Sequence, residues 1–268
     1  MATALDPNKA KTARRLIEVL EFFDENNTRA TVMDIVRRYN RPQSSTSELL
    51  AILVDLGLLY RDASSKFYTL TPRAAILGSL SQPRMVRDGR LVTLVDQLAA
   101  QTGLGVALIG MVGLNAQVFL WKSGDKSLKK APEAVLTSGL QERLCDTAAG
   151  WLLLSTAPHQ RGEGVIRRLN AEAPSERKFS HPEMSAHVQD CRRQGYAIGP
   201  AGFGAAAEMC VMLLPSDADE HPMALGLVYN PSEQKSADLV AILEQALRGC
   251  TRETDANAPR PHRAPAAA

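Results

Sequence analysis

The sequence predicts an α+β fold in two parts, and two stretches carry that prediction. Thr31–Leu70 (TVMDIVRRYNRPQSSTSELLAILVDLGLLYRDASSKFYTL) sets a short helix, a proline-containing turn, a second amphipathic helix and a two-stranded hairpin end to end. That order is the plan of a winged helix-turn-helix. From Leu104 onward, strand-like and helix-like segments follow one another without regular alternation. This argues for α+β and against a doubly wound sheet.

The 268 residues suffice for about two domains, and 45% apolar residues are enough to fill real cores. A net charge of +2 excludes a polycation, so any nucleic-acid surface is a local patch. Cys145, Cys191, Cys210 and Cys250 are widely spaced and form no CxxC pair. A reduced, cytoplasmic protein is the simplest expectation. The opening MATALDPNKAK lacks the apolar stretch of a signal peptide. The longest apolar run, Leu104–Leu120, is broken by Gly110, Gly113, Asn115 and Gln117, so no membrane partner is expected.

The elements follow in order. Residues 1–8 read as a loose tail, with Asn8 or Thr12 capping a first helix that runs to about Glu25 on the face Leu16, Ile17, Val19, Leu20 and Phe23. Thr31 sits where an N-cap belongs, with Asp34 three residues on, a variant of the capping box. Asn40-Arg41-Pro42 is the turn, since proline is accepted only around the first turn of a helix. The next helix, Gln43–Leu56, divides in two. Leu49, Leu50, Leu53 and Val54 pack inward, while Gln43, Ser44, Ser45, Thr46 and Ser47 lead with small hydrogen-bonding side chains. A helix buried by its back half suits insertion into a DNA major groove, where the leading residues meet base edges and phosphates. A merely solvated helix start explains the Ser-Ser-Thr-Ser run about equally well. Gly57 is the left-handed stop. Leu58–Tyr60 and Phe67–Leu70 form the wing, with Arg61 and Lys66 at its tip as phosphate-binding candidates.

Thr71-Pro72 opens a short helix that Pro83 breaks. A second helix, Arg84–Gln101, carries Leu91, Leu94, Val95 and Leu98, a face fit to pack on a partner helix from a second subunit. Beyond it, strands are expected at Val106–Met111, Gln117–Trp121, Val135-Leu136, Tyr196–Ile198, Met209–Leu214 and Met223–Tyr229. Lys122–Lys130 reads as polar surface. Helices are expected at Asp146–Ser155, Met184–Gln194 and Ser236–Arg248, with charged surface helix and loop over 156–180 and a disordered tail over 251–268. The resulting domains are 9–78, a linker and dimerisation helix at 79–101, and 102–250.

Catalytic and metal motifs are tested and set aside. Gly202–Ala207 fits GxGxxA, but the next segment reads as strand rather than helix, so a flexible turn is favoured over a dinucleotide site. His181 and His187 lack ligand spacing. No GxSxG, HExxH or Walker A occurs. No cofactor, metal or catalytic residue is expected, and the second part is read as a binder, not an enzyme.

The order of parts resembles the IclR family of bacterial transcription regulators across about residues 9–250. The resemblance rests on RRLIEVLEFF, the helix pair Thr31–Leu56 and GLLYRDASSKFYTLTPRAAILG in the first part. In the second it rests on LCDTAAGWLLLS, RRQGYAIGPAGFGAAAEMCVMLL and MALGLVYNPSE. It implies a GAF/PAS-like effector domain, a homodimer or dimer of dimers, and double-stranded DNA binding under the control of a small organic ligand. On that basis Thr31, Arg41, Gln43, Ser44, Ser45, Thr46, Ser47, Arg61 and Lys66 are the DNA-binding candidates. A pocket is expected over one face of the sheet, closed by the helix near Asp146. Val106, Leu108, Met111, Cys145, Thr147, Trp151, Phe203, Cys210, Met212 and Tyr229 are its candidate lining. Apolar walls and a helix N-terminus at Thr147 suit an aromatic or hydrophobic acid, although each residue taken singly is as well explained as core. This chain departs from the family pattern at Gln43 and Glu48, where basic residues are usual, and at Trp151, where lysine is usual. Glu48 can accept from a cytosine amino group but repels phosphate. Six Lys/Arg against four Asp/Glu over Ala30–Arg73 imply modest affinity or reliance on dimer avidity. Two other classes stand beside this expectation: a degenerate nucleotide-binding fold, and a protein-interaction module with a vestigial helix-turn-helix.

Overall fold

A computed structural model of the chain describes residues 7–24, 26–77, 79, 82, 84–124, 136–215, 221–234 and 236–256. The chain divides into two units, Met1–Arg87 and Asp88–Ala268.

The first unit begins with α1 (Pro7–Phe22), α2 (Val32–Tyr39) and α3 (Gln43–Asp55). The strands β1 (Leu59–Arg61) and β2 (Tyr68–Leu70) then pair antiparallel, and α4 (Pro72–Ile76) and α5 (Arg84–Arg87) follow. The capping box at the head of α2 is formed. The Thr31 hydroxyl accepts from the Asp34 N–H, and Asp34 Oδ2 accepts from the Thr31 N–H at 2.8 Å. The Thr31 N–H and hydroxyl, both donating to the carboxylate, hold the Asp34 carboxyl below the usual carboxylate range. Asn40 takes the left-handed conformation that ends α2, and Pro42 stands at the N-cap of α3. Gly57 is left-handed (φ 70), and the Thr71 hydroxyl donates to its carbonyl at 2.6 Å, tying the wing back to the end of α3. Ala30 adds a bridge to Tyr68, so the wing is anchored on both sides. Val19, Ile35, Leu49, Leu50, Leu53, Leu58, Leu59 and Tyr68 are buried together as the core.

The second unit opens with α6 (Arg90–Thr102). The strands β3 (Gly105–Val112), β4 (Asn115–Lys122) and β5 (Gln141–Arg143) come next, then the helices α7 (Ala148–Ser155), α8 (His159–Ala171) and α9 (His181–Gln194). The strands β6 (Tyr196–Gly202), β7 (Ala205–Leu213) and β8 (Met223–Tyr229) and the helix α10 (Ser236–Ala256) complete it. The six strands are antiparallel in the order β5-β4-β3-β8-β7-β6. α6 and α10 pack on one face and α7 on the other, with α9 over α7. The expectation of α+β is met.

Several boundaries are corrected. α1 starts at Pro7 and ends at Phe22, short of Glu25, which lies outside the described residues. The single helix expected over Arg84–Gln101 is two, because Gly89 stands between them in the left-handed region (φ 74). The boundary between units falls after Arg87, and α6 packs within the second unit. Its apolar residues Leu91, Leu94, Val95 and Leu98 are buried, and the helix packs on β3 and β4. β5 was not anticipated. Leu136 is in no strand, and Val135 and 125–130 lie outside the described residues. α10 continues to Ala256, two turns into the expected tail; 257–268, like residues 1–6 and Pro83, lie outside the described residues.

Candidate functional site

In the first unit the candidate site is the leading half of α3. Thr46, Leu49, Leu50 and Leu53 face inward and are buried, which turns the opposite stripe outward. Gln43, Ser44, Ser47 and Glu48 are exposed there. Thr46, expected to meet DNA, is 1% exposed, and its hydroxyl donates to the Pro42 carbonyl at 2.9 Å. It fixes the helix and is withdrawn from the contact set. Thr31 is likewise spent on its capping box. Arg41 donates to both oxygens of Glu18 on α1, at 2.8 and 3.1 Å, so its charge is neutralised within the unit. Lys66 Nζ donates to the Ala63 carbonyl in its own turn, while the Arg61 guanidinium lies over the Tyr68 ring.

One further side chain, which the sequence does not single out, reaches this helix. Arg15 of α1 reaches 30 positions along the chain to donate from Nη2 to Ser45 Oγ at 2.9 Å. It places a guanidinium at the first turn of a helix that carries no lysine or arginine from Gln43 to Asp55.

In the second unit the ten pocket candidates do not come together. Side chains alternate across a strand. Ala107, Ile109, Met209, Val211, Ala224 and Val228 belong to the core under α7. Their neighbours Val106, Leu108, Cys210, Met212 and Tyr229 therefore point to the other face, toward α6 and α10. Met111, Cys145, Thr147, Trp151 and Phe203 stand on the α7 side. The proposed single lining is thus split by the sheet, and only the second five can share a site. A groove of about 750 Å³ lies on the opposite side, between α6 and α10, lined by Leu94, Leu98, Leu104, Leu239 and Ile242 with glutamines at its rim.

The α7 face is tightly filled. Thr147 is wholly buried and caps α7 by accepting from the Gly150 N–H at 2.9 Å, so its hydroxyl serves the helix. Burial pushes the Cys145 thiol up to about 12, which keeps it protonated. Trp151 donates from Nε1 to the Cys145 carbonyl at 2.8 Å and stacks on His187 of α9 with ring centroids 5.0 Å apart. Its indole rests on Gly199 of β6, where a Cβ would come within 2.8 Å of the ring. Nearby, Arg177 bridges Glu142 (2.8 Å) and Asp146 (2.5 Å). The Gly202–Ala207 motif is the β6–β7 hairpin, with Gly202, Phe203 and Gly204 all at positive φ and no helix after it. It lacks the helix N-terminus that would hold a pyrophosphate, and the nucleotide alternative loses its basis. Among the described residues no group of three His, Cys, Asp or Glu side chains is placed to hold a metal, and no helix is long and apolar enough to cross a membrane.

The architecture is a winged helix-turn-helix unit followed by a unit with a six-stranded antiparallel sheet between helices. Comparison with known proteins bears on the first unit and on the fold of the whole chain. Residues 12–63 match the family described as the IclR helix-turn-helix domain. Solved structures share the fold over nearly the whole chain. The Thermotoga maritima IclR is 16% identical, over 91% of this chain and 98% of that one, with a TM-score of 0.58. An IclR homolog from Microbacterium hydrocarbonoxydans, solved as a complex with 4-hydroxybenzoate, is 19% identical over 89% and 96%, TM-score 0.56. A transcriptional regulator from Alicyclobacillus acidocaldarius is 19% identical over 92% and 96%, TM-score 0.55. No curated protein matches the chain. Residues 12–63 thus match the IclR helix-turn-helix domain, in a chain with the fold of the solved IclR regulators.

Proposed function

We propose that the protein is a sequence-specific transcription regulator, acting as a repressor in the cytoplasm, whose second unit is a GAF/PAS-like sensor for a small organic acid. The observation that carries the DNA part is α3: an outward polar stripe on a rigidly buried back, with Arg15 stationed at its first turn. Arg15 contacts a phosphate and sets α3 in register, while Ser44 and Ser47 face the groove. Arg61 of the wing holds a second phosphate. Arg15→Ala is expected to weaken binding to all duplexes alike and to flatten the dependence of log affinity on log salt by about one unit. Unchanged affinity and slope in that variant contradict this docking.

The protein acts as a homodimer. Ile17, Ile76 and Leu77 of the first unit are 51%, 57% and 62% exposed, apolar surface that a second copy would cover. The effector sits at the margin of the α7 face, where Met111 is 36% exposed and Trp151 and Phe203 are half-buried above the packed core. The 4-hydroxybenzoate complex of the Microbacterium protein supports a small aromatic acid. A ligand shifts DNA affinity only through its difference in affinity for the two states of the protein. Titration with 4-hydroxybenzoate and related aromatic acids is expected to change the emission of Trp151. No response and no heat of binding across the panel would remove the effector part.

A further inference from the structure

We propose that Glu48 is the base-reading side chain of α3 and that it selects cytosine in the major groove. The assignment rests on the DNA-binding function proposed above and makes it specific.

Ser44, Ser47, Glu48 and Ala51 stand at i, i+3, i+4 and i+7 of α3, and all are exposed. They form one stripe on the side opposite the buried Thr46, Leu49, Leu50 and Leu53. The stripe's direction is therefore set by the core and not by a flexible loop. The commonest specific contact, an arginine or lysine on guanine O6 and N7, is not available to a helix without either residue. What the stripe offers is two short hydroxyls, a methyl group and one carboxylate.

A carboxylate only accepts hydrogen bonds. In the major groove the donors are the amino groups of cytosine (N4) and adenine (N6). Adenine sets its N7 acceptor beside that amino group, where it repels the second carboxylate oxygen, and cytosine does not. Guanine and thymine present acceptors alone on their own edges. Glu48 thus favours cytosine and rejects guanine at the same position. The repulsion between Glu48 and the phosphates is offset by Arg15, whose guanidinium is bonded to Ser45 in the first turn of the same helix.

The test selects binding sequences from a randomised duplex pool with the full-length protein, Glu48→Ala and Glu48→Gln. Glu48 is on the surface, so circular dichroism of both variants should match the parent. The parent is expected to enrich a motif with one invariant C:G pair in each half-site. Glu48→Ala should keep the rest of the motif and lose its preference at that pair, a fall in discrimination of about tenfold or more. Glu48→Gln should move the preference to adenine, whose N6 and N7 a glutamine amide meets together. If both variants return the parent motif unchanged, DNA recognition stands and the assignment of Glu48 is overturned. If the parent enriches no motif, sequence-specific DNA binding fails and this proposal fails with it.

Discussion

Leu50→Ala combined with Leu53→Ala is expected to abolish DNA binding while leaving the second unit folded. Both side chains are 0% exposed, and both belong to the core that joins α3 to α1, α2 and the wing. Each truncation costs about 2–5 kcal/mol, by lost transfer energy and by the cavity left behind. The two share neighbours, so the costs do not add simply. Their sum is nonetheless comparable with the whole stability of a small domain, roughly 5–15 kcal/mol. The readouts separate cleanly, because both tryptophans of the chain, Trp121 and Trp151, lie in the second unit. Urea unfolding followed by tryptophan emission should be unchanged in the double variant, while operator binding is lost. Retained binding would show that α3 is not held by this core.

The second large effect is expected from Gly150→Ala. A Cβ at this position would stand 2.0 Å from the Leu144 carbonyl oxygen and 2.6 Å from its carbonyl carbon, both backbone atoms. Nothing there is a flexible side-chain end that can step aside. The same residue donates its N–H to the Thr147 cap, so α7 cannot shift without losing that bond. Seven of the eight residues of α7 are buried, so displacing the helix disturbs the core on both sides of it. The expected cost is about 2–3 kcal/mol. It should appear as a fall of about 1 M or more in the urea midpoint of the tryptophan signal. DNA binding by the first unit should survive at temperatures where the second unit is still folded. An unchanged midpoint would mean that α7 does not meet the Leu144–Asp146 turn as described.

The parts of this fold legible in the sequence are those fixed by local chemistry. The Thr31–Asp34 box, the glycine stop at Gly57 and the strand Met223–Tyr229 all appear where their residues place them. The parts that were not legible depend on long-range contacts. β3 (GVALIGMV) and β8 (MALGLVY) are covered on both faces, so they read as continuous apolar runs without the alternation that would assign each residue to a side. The ten pocket candidates were split for that reason. The apolar stripe of α6 is the same whether it meets a partner helix or its own sheet. β5 is a three-residue polar edge strand with no signal of its own. Arg15 looks like any surface arginine of an amphipathic helix until α1 is set beside the head of α3. Thr46 shows the reverse: within a polar run, only the packing of α3 reveals which hydroxyl is turned inward.

The central claim is that α3 reads DNA in a sequence-specific way. The most direct test is fluorescence anisotropy of the full-length protein with the DNA upstream of its own gene, across a salt series, with scrambled DNA of equal length beside it. The expected result is binding tighter than to the scrambled duplex at every salt, with log affinity falling linearly in log salt by a slope that counts the phosphates engaged. Equal affinity for the two duplexes throughout the series would contradict it.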